Sequence, residues 1–326
     1  MVLRLTFVAL LLLLDSSEGC IFGAGDITTV EGSGASSVSS VPIGQFSSIV
    51  VVGTGYTGTP QVEIDRGTST GSATLTVDEA WEPYVVVETV GSVLRVGIQE
   101  GHAFFCGFGR TCAFRVEART PALLSLSTNG LRSKVVVGLR SRFDFQDTMR
   151  ISASDASEVE VHASPRQLLE VEGGIGSSAD ISVDGRTLQA RINLRGLGKL
   201  DARRLSVNSL DAVVGAEVDS IEIYRRYGEV DSLVSVRTVS RGRLSLRGRP
   251  NRVNQVRLVS ESLSRIEGDA FTAPIVDVDA SFTSSITTGV FQRLRGRVSD
   301  RAVVYYIGNP TVDVEEEDDG QVIKKG

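Results

Sequence analysis

Histidine is the scarcest chemistry-bearing residue in this chain: His102 and His162 are the only two among 326 residues. Histidine is the usual general base and metal ligand near neutral pH. These two stand 60 residues apart, with no cysteine or carboxylate pattern joining them, so a His-based triad or a zinc site is not expected. Lysine is confined to Lys134, Lys199, Lys324 and Lys325, leaving thirty arginines spread along the chain. That spread gives no compact basic face, which argues against a nucleic-acid partner. There is no Asn-x-Ser/Thr sequon, so N-glycosylation is not predicted in a eukaryotic host. Proline (8) and aromatics (6%) are also few, and a single Trp, Trp81, reads as a packing anchor over the first strands. No apolar run of transmembrane length occurs, so no membrane span is predicted.

What is abundant is small and β-favouring. Glycine (34) accompanies Val, Ile, Ser and Thr throughout, a composition for strands and tight turns. From about Leu123 to Arg301 a short alternating apolar run, a turn and another run recur roughly every 17–22 residues. Examples are 168–172 (LLEVE), 188–192 (LQARI), 256–259 (VRLV) and 275–279 (IVDVD). Period-two alternation sends one set of side chains inward and the other outward. No single rung buries its apolar set, so each must stack on the next at about 4.8 Å. The fold class read from this pattern is all-β, a β-solenoid.

The first twenty residues differ. Arg4, the apolar stretch 5–14 and Ser16-Ser17-Glu18-Gly19 read as a secretory signal peptide, 1–20. Residues 21–45 read as a flexible Gly/Ser-rich lead-in, and 46–326 as the solenoid domain. Within the latter, a short helix is expected over 78–84, with Asp78 to cap it and Pro83 to end it. Cys106 and Cys112 bracket a Gly-rich loop at a distance suited to a local disulfide, with a pair of reduced thiols as the alternative. Cys20 has two readings: the lipidated first residue of a mature lipoprotein, giving a lipid anchor, or a residue left free or removed with the signal peptide.

The segments 46–51 (FSSIVV) and 77–85 (VDEAWEPYV), with 94–97 (LRVG) behind them, together with the closing Tyr305-Tyr306-Ile307-Gly308-Asn309-Pro310, resemble the head-GIN domain family of auto-transporter adhesins. The resemblance runs over about 46–325. Its most specific part is the end motif, Tyr305, Tyr306, Gly308, Asn309 and Pro310. It implies a right-handed, single-stranded parallel β-helix, secreted or envelope-associated, with no catalytic motif to carry over. The middle rungs depart from the family in being Arg-rich and lacking regular Ser-Gly-x-Gly turns, which leaves the rung register between about 203 and 255 unassigned.

Paired acids are the remaining route to chemistry. Asp277 and Asp279 flank Val278 and would project to one face, as a Ca²⁺ site or a glycosidase requires; Asp144/Asp147 and Asp180/Asp184 are further pairs. The outward face of a solenoid is polar everywhere, so solvated ladders of Arg against Asp and Glu are the favoured reading. Gly173-Gly174-Ile175-Gly176 has no helix after it and does not read as a phosphate loop. The acidic run 315–319 reads as a solubilising turn that, with Lys324-Lys325, discourages end-to-end strand pairing.

The expectation is an exported, non-catalytic protein at the cell surface or envelope, without cofactor or metal, binding an unidentified surface glycan or protein ligand. The alternative is a solenoid that binds or cleaves polysaccharide through Asp277, Asp279 and an Arg such as Arg257 or Arg297. A scaffolding role in an envelope complex is a third reading.

Overall fold

The computed structural model describes residues 28–325 apart from 53–58, 69–70, 106–112, 130–132, 145–146, 175–179, 197, 224–231 and 249–252. It is a β-solenoid, as the rung pattern predicts. Two ladders of parallel strands run its length. The first passes through Ser48–Val52, Ser125–Asn129, Thr148–Ala153 and Leu168–Gly173, and ends at Thr311–Glu316. The second passes through Thr59–Arg66, Lys134–Val137 and Glu158–Ser164, and ends at Gln321–Lys324. Long strands such as Asp180–Leu194 and Arg265–Ala280 turn the corner and serve both ladders.

One register position on the second ladder runs Lys134, Glu158, Asp180, Lys199, Glu217, Arg243, Arg265, Ser285, Val303, Gln321. Turn length along it varies from 18 residues (Lys199 to Glu217) to 26 (Glu217 to Arg243), a wider spread than the sequence period. The register through 203–255 is continuous across the described strands, with shifts between Leu200 and Ser206, between Val218 and Ile221, and between Ser232 and Leu233.

Alternation sets the core. Leu169 and Val171, Ala190 and Ile192, Val256 and Leu258, Val276 and Val278 all point inward and are buried, with Leu169 over Ala190, Val171 over Ile192 and Leu258 over Val278. Where the first ladder passes to the second, four-residue turns stack in line. Their second residues, Asp155, Ser240, Ser262, Phe282, Asp300 and Asp318, all have positive φ. The turns are tied by backbone hydrogen bonds at both ends, as when Glu261 N–H donates to Thr238 O at 3.0 Å and Arg265 N–H to Gly242 O at 2.8 Å. Asp tolerates the left-handed region because its short polar side chain can bond locally; Phe282, exposed there, has no such compensation.

The N-terminal end corrects two expectations. The lead-in over 21–45 contains strands at Thr28–Glu31, parallel to His102–Phe105, and at Ser36–Pro42, antiparallel to Ser72–Asp78. Its Ser-rich sequence hides them because backbone pairing, more than apolar burial, holds the strand. The helix expected over 78–84 is one 3-10 turn, Glu82–Tyr84, with Pro83 in its first turn where a missing N–H costs nothing. Asp78 lies outside that turn and gathers donors instead. It accepts from Ser33 N–H (2.9 Å), Gly34 N–H (2.7 Å), Ala80 N–H (3.0 Å) and the Ser33 hydroxyl (2.9 Å).

Burial acts to raise the Asp78 pKa, but these hydrogen bonds to backbone and hydroxyl outweigh it and hold the carboxyl below its ordinary value. A carboxylate depressed in the folded state adds stability that is complete above its unfolded pKa, about 3.9, and disappears as pH falls through the lower folded value. The thermal midpoints of the native protein and Asp78→Asn should therefore differ at pH 6 and converge as the pH is lowered below about 4. A gap that is constant across that range would show that the carboxylate charge has no part in holding Ser33 and Gly34.

Candidate functional site

The outward face of the first ladder carries the most ordered chemistry in the molecule. One register position reads Arg150, Glu170, Arg191, Asp211, Ser235, Arg257, Asp277, Arg295, Asp313. Charge alternates in sign at every step except Ser235. Each charged side chain thus faces an opposite charge on the neighbouring strand, the arrangement that favours cross-strand pairs over like-charge repulsion. Glu170 pairs with Arg150 and with Arg191, the latter at 3.2 Å. Arg295 is bidentate on Asp277, through Nε and through Nη2 at 3.1 Å. That hydrogen bond, then the charge of Asp277, raises the Arg295 pKa above its already high ordinary value.

Asp277 and Asp279 therefore do share a face, as their spacing predicts, but they stand in two ladder rows. Asp277 lies between Arg257 and Arg295, and Asp279 lies beside Arg297 in the next row. Arg297 is itself paired with Glu317. The set lies along open sheet, and neither of the two shallow grooves described below includes any of it. Of the other acid pairs, Asp180 follows Glu158 in the second ladder while Asp184 sits at the corner. Asp147 lies in a turn and its carbonyl accepts from Gln167 N–H and Leu168 N–H, both at 3.0 Å.

A second charged cluster, which the sequence reading missed, forms at the corner after the second ladder. Arg142, His162, Asp184 and Arg204 come from four successive turns, spaced 20, 22 and 20 residues apart. Arg142 Nη1 is 3.1 Å from Asp184 Oδ2, and His162 is sandwiched between Asp184 (3.2 Å) and Glu160 (3.0 Å). Arg142, Asp184 and Arg204, with Ser164, Gly185, Arg186 and Ser206, line a shallow polar groove. Gly185 makes the corner tight: its φ is +137°, and a Cβ there would lie 2.0 Å from Ala163 O. The turn period was the signal that could have found this cluster, since it joins His162 to carboxylates far off in sequence. Among the described residues no group of three His, Cys, Asp or Glu side chains is placed to hold a metal ion.

The other groove lies at the N-terminal end, lined by Gly34, Ala35, Ser36, Asp78 and Trp81 among others. Trp81 is buried there, stacked on Phe104 with centroids 4.9 Å apart, and its Nε1–H donates to Val30 O at 3.2 Å. This is the packing anchor that the sequence reading expected. His102 lies over Tyr84 with centroids at 4.5 Å. Of the end motif, Tyr305 and Tyr306 close the strand Val303–Ile307, and Lys324 Nζ donates to Asn309 Oδ1 at 2.6 Å. Gly308 has φ +114°, and a Cβ would lie 2.1 Å from Val290 O; Pro310 precedes the last strand of the first ladder. The segment 1–20, Cys20, Cys106 and Cys112 lie outside the described residues. Among the described residues no helix is long and apolar enough to cross a membrane.

Among solved structures, a putative lipid binding protein from Parabacteroides distasonis is 15% identical, with a TM-score of 0.47, over 92% of this chain and 100% of that one. A putative adhesin from Parabacteroides merdae is 17% identical, with a TM-score of 0.45, over 91% of this chain and 99% of that one. No curated protein matches the chain. A family model described as "Putative auto-transporter adhesin, head GIN domain" matches residues 53–224, which is more than half of the chain and stops short of the end motif. The chain belongs to the head GIN domain family.

Proposed function

We propose that this protein is exported and acts at the cell surface or envelope as a non-catalytic, adhesin-like binding protein. The observation that carries the reading is the sign-alternating row from Arg150 to Asp313 on an open sheet face. Such a face presents guanidinium and carboxylate groups at strand spacing to an extended ligand, with no need of a pocket. An enzyme of the polysaccharide-cleaving kind needs its acids and arginines to converge on one bond. Asp277 is instead engaged by Arg295, and Arg297 by Glu317. In the same reading 1–20 directs export, Cys106 and Cys112 form a disulfide that clips their loop, and Cys20 is the candidate for a lipid anchor. Family membership supports adhesion as the general role; the ligand is a surface glycan or a protein.

The test is a polysaccharide array probed with the purified protein, read both for retention and for new reducing or unsaturated ends. Saturable retention without cleavage is the expected result. Cleavage that disappears in Asp277→Ala or Asp279→Ala would overturn the reading in favour of an enzyme. Silence in both channels would remove the glycan and leave a protein ligand or a structural role.

A further inference from the structure

The two ends of the solenoid are built differently. At the N-terminal end, the antiparallel strands Ser36–Pro42, Ser72–Asp78 and Val85–Val90 and the buried Trp81 close over the first turns. At the C-terminal end, Thr311–Glu316 pairs with Ser285–Val298 on one side, and Gln321–Lys324 with Val303–Ile307. Among the described residues neither has a strand on its other side. The core ends open with them. Leu294, Val298 and Val304 in the preceding turn are fully buried, whereas Val312, inward of Thr311–Glu316, is 42% exposed and Val314 and Val322 are only half-buried. An unpaired edge beside uncovered aliphatic side chains is a template for one more strand.

The charges at that edge say which strand. Along the first ladder the rows run Arg257, Asp277, Arg295, Asp313 and Asp279, Arg297, Glu315, so both stop on an acid. Six acids lie between 313 and 319: Asp313, Glu315, Glu316, Glu317, Asp318 and Asp319. On the near side Arg295 and Arg297 stand in register with Asp313 and Glu315, and Arg293 is ion-paired with Asp313; the next strand in each row would stand over the same acids from the far side. A second copy docked end to end through this edge would set Asp313 and Glu315 against their own counterparts, and like charges directly opposite are destabilising. The acidic end thus guards against self-pairing and selects a cationic strand.

We infer that the open C-terminal end takes up an extended segment of another protein in which Arg or Lys alternates with aliphatic residues. The segment adds in parallel beside Thr311–Glu316, its basic side chains over Asp313 and Glu315 and its aliphatic ones capping Val312 and Val314. The chain shows a fitting pattern in its own residues 293–298 (RLRGRV), which occupy the equivalent place on the near side of the same strand. This edge adjoins the ladder face proposed above and shares Asp313 with it, but the inference does not depend on export or on glycan binding.

The test uses the full protein and a fluorescent peptide with the sequence of residues 291–299, read by anisotropy at low and at moderate salt. Expected is saturable binding that weakens with salt, and that falls about tenfold for the double variant Asp313→Lys, Glu315→Lys or for a peptide with its arginines changed to glutamate. Hydrogen exchange on the unaltered protein should show the added protection at the amides of 311–316, which keeps the test valid if the variant is destabilised. Absence of binding would reduce the acidic end to a plain guard and overturn the inference. So would equal binding of a scrambled peptide, or protection elsewhere. A sedimentation shift showing dimers blocked by the peptide would overturn it in favour of a second copy.

Discussion

Replacing Phe271 by Ala is expected to cost about 3–5 kcal/mol, the range for deleting a fully buried aromatic ring. Phe271 is one of the largest side chains with no exposure. It sits where the long strand Arg265–Ala280 turns from the second ladder to the first, in register with Gly248 one turn before. That neighbour cannot fill the space the ring leaves. Gly248 has φ +116°, and a Cβ on it would lie 2.1 Å from Ile223 O. The following turn is also tight, since a Cβ on Gly289 would lie 2.7 Å from Phe271 O. A corner closed on both sides by backbone collapses poorly, which puts the loss toward the upper part of the range. Against a typical total of about 5–15 kcal/mol the effect is large. A solenoid sums the stabilities of its turns and of the interfaces between them, so the damage should also be local. Chemical denaturation should show an early loss, and hydrogen exchange should place it in Arg243–Gly248, Arg265–Ala280 and Ser285–Val298. Protection at Ser48–Val52 and Val93–Ile98 should be unchanged. A loss below about 1 kcal/mol, or one spread evenly over the molecule, would show that the ring is not what fills the corner.

How much of this could be read beforehand depends on whether a feature is fixed within one strand or between strands. Within a strand, period-two alternation gave the inward set directly: Val276 and Val278 are buried while Asp277 and Asp279 face out. The existence of charge ladders followed from the same alternation. Their order did not, because the sign sequence from Arg150 to Asp313 appears only when each turn is aligned on the next, and turn lengths differ by up to eight residues. The corner cluster was hidden for the same reason: His162 meets Asp184 only when 22 residues are known to make one turn. The strand Ser36–Pro42 was hidden differently. Its side chains alternate between exposed and half-buried with none fully inside, so its hydrophobic signal is weak, and its place is fixed by seven register pairs with Ser72–Asp78. The Asp277/Asp279 pair shows the converse: proximity on one face was legible, but pairing of Asp277 with Arg295, which decides its chemistry, comes from the next turn.

Substituting the three hydroxyl residues that cross the stacked turns should cost less than the sum of their single substitutions. Thr238, Ser260 and Ser264 are buried and form a closed triangle, with all three oxygen pairs at 3.0 Å. Ser264 also reaches Thr238 O at 3.0 Å and accepts from Glu261 N–H at 3.1 Å, while Ser284 Oγ–H donates to Ser260 O at 2.7 Å in the following turn. Removing one hydroxyl leaves the other two buried with fewer partners, and an unsatisfied buried polar group costs about 1–3 kcal/mol. Ser264→Ala should be the most costly of the three single variants because its oxygen serves the most partners. Part of that cost is limited by Glu261 N–H, which keeps Thr238 O at 3.0 Å as a second acceptor. Thr238→Val, Ser260→Ala and Ser264→Ala combined removes all three sides of the triangle and strands none of its members. Replacing every partner of a buried network by apolar groups of similar shape is close to neutral. Urea denaturation of the three single variants and the triple variant decides it. A triple-variant loss smaller than the three single losses added together shows that the hydroxyls act as one unit within the stack, whereas simple additivity would show three independent bonds.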